Sequence, residues 1–392
     1  MYVTVDKNNN KITIDLDNPN GYTVTGVNVE DLVLDESKMI VSPDRIIIYY
    51  KSENDQTRWK DSYLLTSLSY QKVENGMTTV GTSDYSEQPV RIPLTLYRDI
   101  YNVDNWSEYI NSENNYGNYD NYRIMADLNF AGYTYTTNCK IGRLIGGKTR
   151  GAAILSNINL KGSNVNLIFR LNSEMRNLSF SDCSVESSGR DCVGLIGTSA
   201  ASIENVAFNN VQILDANKSR SYMGLIGYQI GGELSDITMN QVTVGFEGNN
   251  QSYVGGLTGY ATGGTLFKNI ETTNIAVSGK QYIGGIVGYT GRASFDTICV
   301  TDARVTASVG YLGGVVGYYD CPRTTKNGPC MVNIHVSGTP ILDSNGVMTG
   351  SSTVIGLTSN PTTGNYVGGI CGLQRGYRNG WETSQNTETG EK

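Results

Sequence analysis

The sequence predicts an all-β protein in which a right-handed β-solenoid of about 30-residue repeats follows a small antiparallel, sandwich-like β-domain. Three observations support this. A glycine-rich signature recurs at a nearly constant step, an alternating apolar motif recurs between its copies, and the first part of the chain consists of short β-type runs. The 392 residues include 46 glycines but only 8 prolines, and charged residues make up 17%. That composition is typical of β-structure with many tight turns.

Residues 1–98 are predicted to form the small β-domain. The runs "KITIDL", "RIIIYYK", "SYLLTSLSY" and "VRIPLTLY" alternate apolar and polar side chains, as half-buried strands do. They are separated by the turn-rich segments "KNNN", "DNPNG", "VENG" and "SDYSEQP". Short strands joined by such turns favour an antiparallel sandwich.

Residues 99–130 are predicted to bridge the two parts. "DNWSEYINSE" indicates a short amphipathic helix with Asp104 as its N-cap. "NNYGNYDN" is a polar loop, and "YRIMADLNFAG" is a strand that opens the solenoid.

The solenoid is predicted for residues 131–375. A glycine-rich signature occurs six times, as "CVGLIGT", "YMGLIGY", "YVGGLTGY", "YIGGIVGY", "YLGGVVGY" and "YVGGICGL". The last glycine of each copy is Gly197, Gly227, Gly259, Gly288, Gly317 and Gly372, so the steps between copies are 30, 32, 29, 29 and 55 residues. The long final step predicts an insertion at about residues 340–365. Repeats of this length with two or three strands each are typical of stacked coils.

A second motif lies between the glycine signatures, in "MRNLSFSDCSV", "IENVAFNNVQI", "LSDITMNQVTV", "FKNIETTNIAV" and "FDTICVTDARV". Its fourth, sixth and eleventh positions are mostly apolar and are predicted to face the core; residues 155–160 and 331–336 extend the set. Its third and eighth positions are mostly Asn or Asp and are predicted to form polar ladders at corners. Glycine pairs such as Gly284 with Gly285 fit a bend or bulge that has no room for a Cβ atom.

The two ends of the chain suggest that it is part of a longer, secreted protein. The start has no charged segment followed by an apolar one, so no signal peptide is expected, and either the protein stays inside the cell of synthesis or the chain is cut from a longer secreted one. Residues 376–392 are predicted to be a polar tail or a truncated next coil, and no polar cap over the last coil is visible.

Composition and motif searches argue against several classes of function. With 37 acidic and 30 basic side chains the net charge is −7, so no nucleic-acid partner is expected. No apolar run reaches the roughly 18 residues of a membrane helix, so no membrane insertion is expected. The seven cysteines lack zinc-site spacing; Cys321 and Cys330 could close a small disulfide loop, or all seven could be unpaired thiols. Phosphate-loop and calcium-loop patterns are missing, so neither a cofactor nor a metal is expected.

Catalytic residues are not predicted in this chain. The single histidine, His335, falls at the outward-facing fifth position of the motif and is interpreted as a surface residue. Polysaccharide hydrolases and lyases with a solenoid fold need clustered carboxylates, about 5–9 Å apart in glycosidases. Neighbouring coils stack about 4.8 Å apart, and no motif position carries acids in two adjacent coils. A polysaccharidase is therefore the weakest hypothesis.

Tyrosines recur on both sides of the glycine signature. One interpretation is structural, because aromatic rings in adjacent coils stabilise each other by about 0.5–1.5 kcal/mol per pair. The other is an aromatic face that contacts a glycan or a protein. The candidate binding face consists of the tyrosines after the signature: Tyr228, Tyr260, Tyr289 and Tyr318.

The alternation of "VGLIG" or "VGGLTG" with "IENV", "FKNI" or "MRNL" resembles the Gly-Leu-x-Gly (GLUG) repeat family. Those repeats occur in secreted and surface proteins of bacteria, including adhesins. The order of a β-domain, "NWSEYI", "NYRIMADLNFAG" and the repeats, over roughly residues 95–375, resembles the N-terminal region of IgA-specific zinc metallopeptidases of Gram-positive bacteria. These peptidases bind zinc through His-Glu-x-x-His, which a chain with one histidine cannot provide. The resemblance therefore implies a catalytic domain outside this chain.

Taken together, these features predict a non-catalytic region of a bacterial surface or secreted protein, located on the cell surface or outside the cell. Its expected role is adhesion, presentation or substrate recognition, with a host protein such as an immunoglobulin, or a glycan, as partner. One alternative is the recognition region of an IgA-specific metallopeptidase. Another is a fibre of a phage or an injection machine.

Overall fold

The computed structural model describes residues 2–16, 22–42, 44–85, 87–110, 119–133, 139–163, 165–189, 191–215, 221–246, 252–321, 331–342, 348–357 and 365–376. Those residues form antiparallel sheets at the N-terminal end and a parallel β-solenoid of about six turns behind them. The fold class predicted from the sequence is confirmed.

Two antiparallel sheets make up the N-terminal part. Their strands are β1 (Tyr2–Asp6), β2 (Lys11–Asp15), β3 (Thr23–Glu30), β4 (Ile40–Ser42), β5 (Arg45–Tyr49), β6 (Tyr63–Glu74), β7 (Met77–Asp84) and β8 (Val90–Ile92), with 3₁₀ turns at Lys7–Asn9, Glu36–Lys38 and Glu53–Asp55. One sheet has the order β1-β2-β5-β4; in the other, β6 pairs with β3, β7 and β8. Asn75 and Gly76 both have left-handed backbones and close the β6–β7 hairpin, as a tight two-residue turn requires.

The two sheets share one apolar core. Ile12 and Ile46 from the first sheet lie in the same buried cluster as Leu65, Leu68 and Ile92 from the second. Alternation along each strand produces this arrangement, because every second side chain points toward the opposite sheet. The result is the predicted sandwich-like packing.

Helix α1 (Val103–Tyr109) covers the start of the solenoid. The prediction of Asp104 as its N-cap is wrong. Asn102 is the cap, because its extended backbone lets its side chain accept a hydrogen bond from the Asn105 N–H at 2.8 Å, which leaves Asp104 in the first turn. Trp106 is fully buried and meets the Phe130 ring edge-to-face at 5.4 Å. The helix thus covers the apolar core at the first coil.

The remaining strands belong to the solenoid, except that β33 and β34 form a separate hairpin. They are β9 (Arg98–Ile100), β10 (Asp120–Ile124), β11 (Leu128–Asn129), β12 (Lys140–Gly146), β13 (Ala153–Ser156), β14 (Asn159–Gly162), β15 (Ile168–Ser187), β16 (Cys192–Val193), β17 (Ile196–Ser199), β18 (Ser202–Asp215), β19 (Ser221–Met223), β20 (Ile226–Ile230), β21 (Glu233–Phe246), β22 (Ser252–Gly255), β23 (Thr258–Thr262), β24 (Leu266–Thr273), β25 (Ala276–Gly279), β26 (Tyr282–Gly284), β27 (Val287–Gly291), β28 (Ser294–Thr301), β29 (Arg304–Ala307), β30 (Tyr311–Gly313), β31 (Val316–Cys321), β32 (Met331–Ser337), β33 (Pro340–Leu342), β34 (Met348–Ser351), β35 (Val354–Leu357), β36 (Tyr366–Gly368) and β37 (Cys371–Gly376).

Each coil pairs with the next in parallel and in the register that the repeat alignment predicts. The fourth motif position pairs in the order Leu178, Val206, Ile237, Ile270, Ile298 and Ile334. Its first five members are buried, and the sixth and eleventh positions line up in the same way. Residues 155–160 extend the set at positions six to eleven, because Leu155 pairs with Phe180 and Leu160 with Val185. The stacked aliphatic and aromatic columns are the core of the solenoid.

The predicted polar ladders lie at corners of the coils. All ten residues of the third and eighth positions have left-handed backbones, with φ between 49° and 57°. Asn and Asp adopt that conformation more readily than other non-glycine residues, because their short side chains bond to nearby groups. The Asn205 amide donates to Asn177 at 2.9 Å, and the Asn210 amide donates to Asp182 at 2.7 Å. The ladders therefore both turn the chain and link successive coils.

The glycine pairs lie where neighbouring coils approach most closely. A Cβ atom on Gly256 would stand 2.2 Å from the carbonyl oxygen of Gly285, and one on Gly285 would stand 2.0 Å from that of Gly314. No side chain fits at such distances, which confirms the expected lack of room for a Cβ atom.

An antiparallel hairpin of β33 and β34 lies inside the predicted insertion. Asp302 fixes its base by accepting a hydrogen bond from the Thr339 N–H at 2.7 Å. After the hairpin, β35 returns to the solenoid, and Ile355 pairs with Val305 at the eleventh motif position.

Ion pairs join the loops of the N-terminal part to the first coils. Arg143 bonds to Asp61 at 2.5 Å and also to Glu174, and Arg123 bonds to Glu53 at 2.8 Å. The Arg143, Asp61 and Glu174 side chains are 20–29% exposed, so these pairs are partly desolvated. Partial burial makes such pairs stronger than fully exposed ones.

Candidate functional site

Nine tyrosines form two adjacent columns along one side of the solenoid. The leading column precedes the glycine signature and the trailing column follows it: Tyr222, Tyr253, Tyr282, Tyr311 and Tyr366 lead, and Tyr228, Tyr260, Tyr289 and Tyr318 trail. The structure thus brings all four tyrosines of the predicted binding face into one column.

Within each column most neighbouring rings stack face to face; the exceptions are Tyr228 with Tyr260, which meet edge to face at 65°, and Tyr222 with Tyr253, which are tilted by 31°. Tyr253 and Tyr282 have centroids 4.8 Å apart with planes at 4°, and Tyr260 and Tyr289 are 4.9 Å apart at 10°. Tyr289 and Tyr318 continue the trailing stack at 5.1 Å and 5°. The coil spacing sets this distance, because each ring hangs from the same position of successive coils.

Between the columns the rings meet mostly edge to face, whereas Tyr222 and Tyr228 are stacked at 25°. Tyr282 and Tyr289 are 5.8 Å apart at 85°, and Tyr311 and Tyr318 are 5.1 Å apart at 85°. Both geometries are favourable for aromatic pairs. Since neighbouring rings cover the faces of Tyr260 and Tyr289, a ligand on this side meets mainly ring edges and hydroxyl groups.

The hydroxyl groups of Tyr228, Tyr260 and Tyr289 stay protonated at neutral pH. Burial raises the pKa of Tyr228 and Tyr260 above the ordinary value of 10. Burial raises the pKa of Tyr289 further, with the negative charge of Asp320 as the next cause. The Tyr289 hydroxyl donates to a carboxylate oxygen of Asp320 at 3.4 Å. These phenols therefore act as hydrogen-bond donors rather than as bases.

An open cleft of about 590 Å³ lies beside the trailing column. This Arg292 cleft is lined by Tyr260, Thr262, Gly263, Gly264, Tyr289, Gly291, Arg292 and Asp320. Its size falls within the range of small-molecule sites. Its polar groups are two phenols, one hydroxyl, one carboxylate, one guanidinium and glycine backbone.

Two successive turns build the cleft. In one coil Gly263 and Gly264 follow β23, and both have left-handed backbones. In the next coil Gly291 ends β27 and is followed by Arg292, which holds φ at 72°. An arginine in that region is uncommon and costs about 1–2 kcal/mol, because its Cβ crowds the following carbonyl. The exposed guanidinium is thus held at the rim by a strained turn.

Arg292 and Asp320 are not among the residues predicted from the sequence. Neither belongs to a column of the repeat, and only the stacking of coils brings Asp320 to Tyr289. The available signal was the change of turn from "TGGT" to "TGRA" at equivalent points of two repeats.

The remaining residues with side chains suited to catalysis or metal binding are His335 and the cysteines. His335 is exposed and pairs with Cys299 in the outward fifth position, as predicted. Among the described residues, no group of three or more His, Cys, Asp or Glu side chains could hold a metal ion. In the described part of the chain, five cysteines form no disulfide bond, namely Cys139, Cys183, Cys192, Cys299 and Cys371. The suggested Cys321–Cys330 disulfide involves Cys330, which lies outside the described residues.

The fold and this side of it define the chain as a β-solenoid protein with a tyrosine-lined surface. No protein-family model matches the chain, and no curated protein matches it significantly. A crystal structure from Bacteroides ovatus described as a "putative immunoglobulin A1 protease" aligns with 66% of this chain and 93% of that chain, at 13% identity and a TM-score of 0.36. A superposition this loose identifies no activity. No helix in the described ranges is long and apolar enough to cross a membrane.

Proposed function

We propose that this chain is a non-catalytic region of a bacterial surface or secreted protein, and that it binds a glycan on its tyrosine side. The observation that carries the proposal is the Arg292 cleft beside the trailing column. Phenol, carboxylate, guanidinium and backbone groups together supply both donors and acceptors, which is what the hydroxyl groups of a sugar require.

The cleft favours binding over hydrolysis. Asp320 is the single carboxylate among the residues that line it. Most glycosidases use two carboxyl groups about 5–9 Å apart. One carboxylate, already engaged by the Tyr289 hydroxyl, can orient a sugar but cannot act as both acid and base.

The solenoid makes this side a rigid platform. The stacked rings and paired coils hold Tyr260, Tyr289 and the backbone of the cleft in place before a ligand arrives, so little ordering of these groups is needed on binding. A repeated platform of this kind also suits the expected roles of adhesion and substrate recognition outside the cell.

The proposal is tested by titrating the purified chain with a panel of neutral and acidic oligosaccharides, with calorimetry as the readout. We expect at least one class to bind, and the bulky variant Thr262→Trp to abolish its binding by filling the cleft. Ser278→Trp, which places the same side chain at an exposed position of β25, is the control. No binding by any oligosaccharide would overturn the proposal.

The resemblance to IgA-specific metallopeptidases supports a second candidate, a region that recognises immunoglobulin A. The residues that carry this resemblance include Trp106 and Tyr122, which are fully buried at the first coil. Immobilised immunoglobulin A, with and without its glycans, separates the two candidates. Binding that survives deglycosylation favours recognition of the protein, whereas binding that needs the glycans favours the first proposal.

A further inference from the structure

We infer that the Arg292 cleft selects sugars that carry a carboxylate, such as uronic or sialic acids. The inference rests on the proposed function and assigns its ligand class. A guanidinium presents a planar set of donors that matches the two oxygens of a carboxylate, and such pairs are among the stronger hydrogen bonds in proteins.

The Arg292 guanidinium is available to a ligand. Its side chain is exposed, and it forms no hydrogen bond or ion pair with any other residue that the structure describes. Asp320 lines the same cleft but lies beyond ion-pair distance of Arg292; the partner it has there is the Tyr289 hydroxyl. The positive charge is therefore not cancelled by direct pairing inside the cleft.

The backbone conformation at Arg292 also supports a binding role for this residue. The equivalent turn one coil earlier uses Gly263 and Gly264, whose left-handed conformations carry no steric cost. At Arg292 the chain places a large cation in that conformation instead. Strained residues of this kind cluster at binding sites, where the surrounding structure holds them.

The rest of the cleft completes a sugar site around that charge. Tyr260 and Tyr289 offer hydroxyl groups about one coil spacing apart, because their rings stack at 4.9 Å. Asp320 offers acceptor oxygens on the side of Tyr289. A sugar whose carboxylate meets Arg292 can therefore place ring hydroxyl groups against the phenols and Asp320.

Because the backbone at Arg292 is strained, the guanidinium can be removed by a substitution that does not destabilise the fold. Arg292→Gly removes the guanidinium and relieves the left-handed backbone, so the variant should fold at least as stably as the parent. Arg304→Ala removes another exposed guanidinium, on β29, and is the matched control for net charge. Melting temperatures of all three chains establish that each is folded.

The experiment measures binding to two ligand pairs: tetragalacturonic acid with its methyl ester, and 3′-sialyllactose with lactose. We expect the acidic member of at least one pair to bind at least tenfold more tightly than its neutral partner, and the pair that shows this identifies the source of the carboxylate. We expect Arg292→Gly to remove that preference and Arg304→Ala to keep it.

Each other outcome contradicts a specific statement. Equal binding of acidic and neutral partners overturns the carboxylate inference and leaves glycan binding in place. A carboxylate preference that persists in Arg292→Gly places the selectivity elsewhere and also overturns the inference. No binding by any of the four ligands, together with none across the oligosaccharide panel, overturns both the inference and the proposed function.

Discussion

Replacing Gly285 by alanine should separate two coils of the solenoid. The Cβ atom of the new residue would lie 2.0 Å from the carbonyl oxygen of Gly314, whereas ordinary contact begins at about 3.4 Å. The overlap of about 1.4 Å is nearly a third of the roughly 4.8 Å spacing between coils. Neither atom can rotate away, because one belongs to the backbone and the other is fixed to it.

The expected cost follows from the bonds near this contact. The Gly285 N–H donates to Gly313 at 3.2 Å and the Ile286 N–H donates to Val315 at 3.0 Å, and both lengthen if the coils move apart. Overpacking costs about 1–3 kcal/mol and each weakened hydrogen bond about 1 kcal/mol. We therefore expect the free energy of unfolding to fall by about 3–5 kcal/mol.

Urea denaturation followed by circular dichroism measures this loss, and hydrogen exchange shows whether it centres on β26 and β27. Gly369 is the matched control, because it occupies the same position in the last described coil and a Cβ atom there meets nothing within 4 Å. Gly369→Ala should change stability by less than about 1 kcal/mol. If Gly285→Ala were as stable as Gly369→Ala, the close stacking of coils would be refuted.

Three further predictions concern the tyrosine columns and the junction. Tyr282→Ala should lower the free energy of unfolding in urea by about 2–4 kcal/mol, and Tyr282→Phe should lower it by less than about 1 kcal/mol, because stacking needs the ring and not the hydroxyl group. Equal losses in the two variants would contradict this reason. The pKa of Tyr289 is raised in the folded protein, so its protonated form contributes stability that is present below the pKa of 10 of the unfolded chain and is lost as the pH rises above 10. The free energy of unfolding of Tyr289→Phe should therefore fall less than that of the parent between pH 9 and 11, and parallel pH profiles would contradict this prediction. A double-mutant cycle of Arg143→Ala and Asp61→Ala, followed by thermal unfolding, should give a coupling free energy of about 1 kcal/mol, since both side chains are 29% exposed. A coupling free energy of zero would show that this ion pair does not help to join the N-terminal part to the solenoid.

The repeating part of the fold could be predicted because the same pattern of apolar, polar and glycine positions recurs in several coils. Leu178 and its equivalents are apolar in every coil, and Asn177 and its equivalents are almost all polar, so averaging over coils removes the ambiguity of a single copy. The lack of room beside Gly285 follows from the same repetition. The expected bend is present at Gly285, between β26 and β27, and the group that leaves no room for a Cβ atom is the carbonyl oxygen of Gly314 in the adjacent coil.

Features that occur once could not be predicted in the same way. Asn102 and Asp104 are both acceptable helix caps, and only the extended backbone at Asn102 decides between them. The Arg292 cleft depends on Asp320, whose sequence neighbours give no hint that it faces Tyr289 one coil away. The ion pairs of Arg143 join residues up to 82 positions apart, and nothing in a charge pattern specifies such partners.

The register of the stacked coils creates both the core and the tyrosine side, and the native Cys299 allows a direct test of it. Glu271 pairs with Cys299, and Thr273 lies two residues further along the same strand. In a Glu271→Cys variant, a short thiol-specific crosslinker should join positions 271 and 299 within one chain, as detected by peptide mass mapping. In Thr273→Cys the same reagent should leave Cys299 unlinked. Crosslinking at 273 in place of 271 would contradict the register on which the account depends.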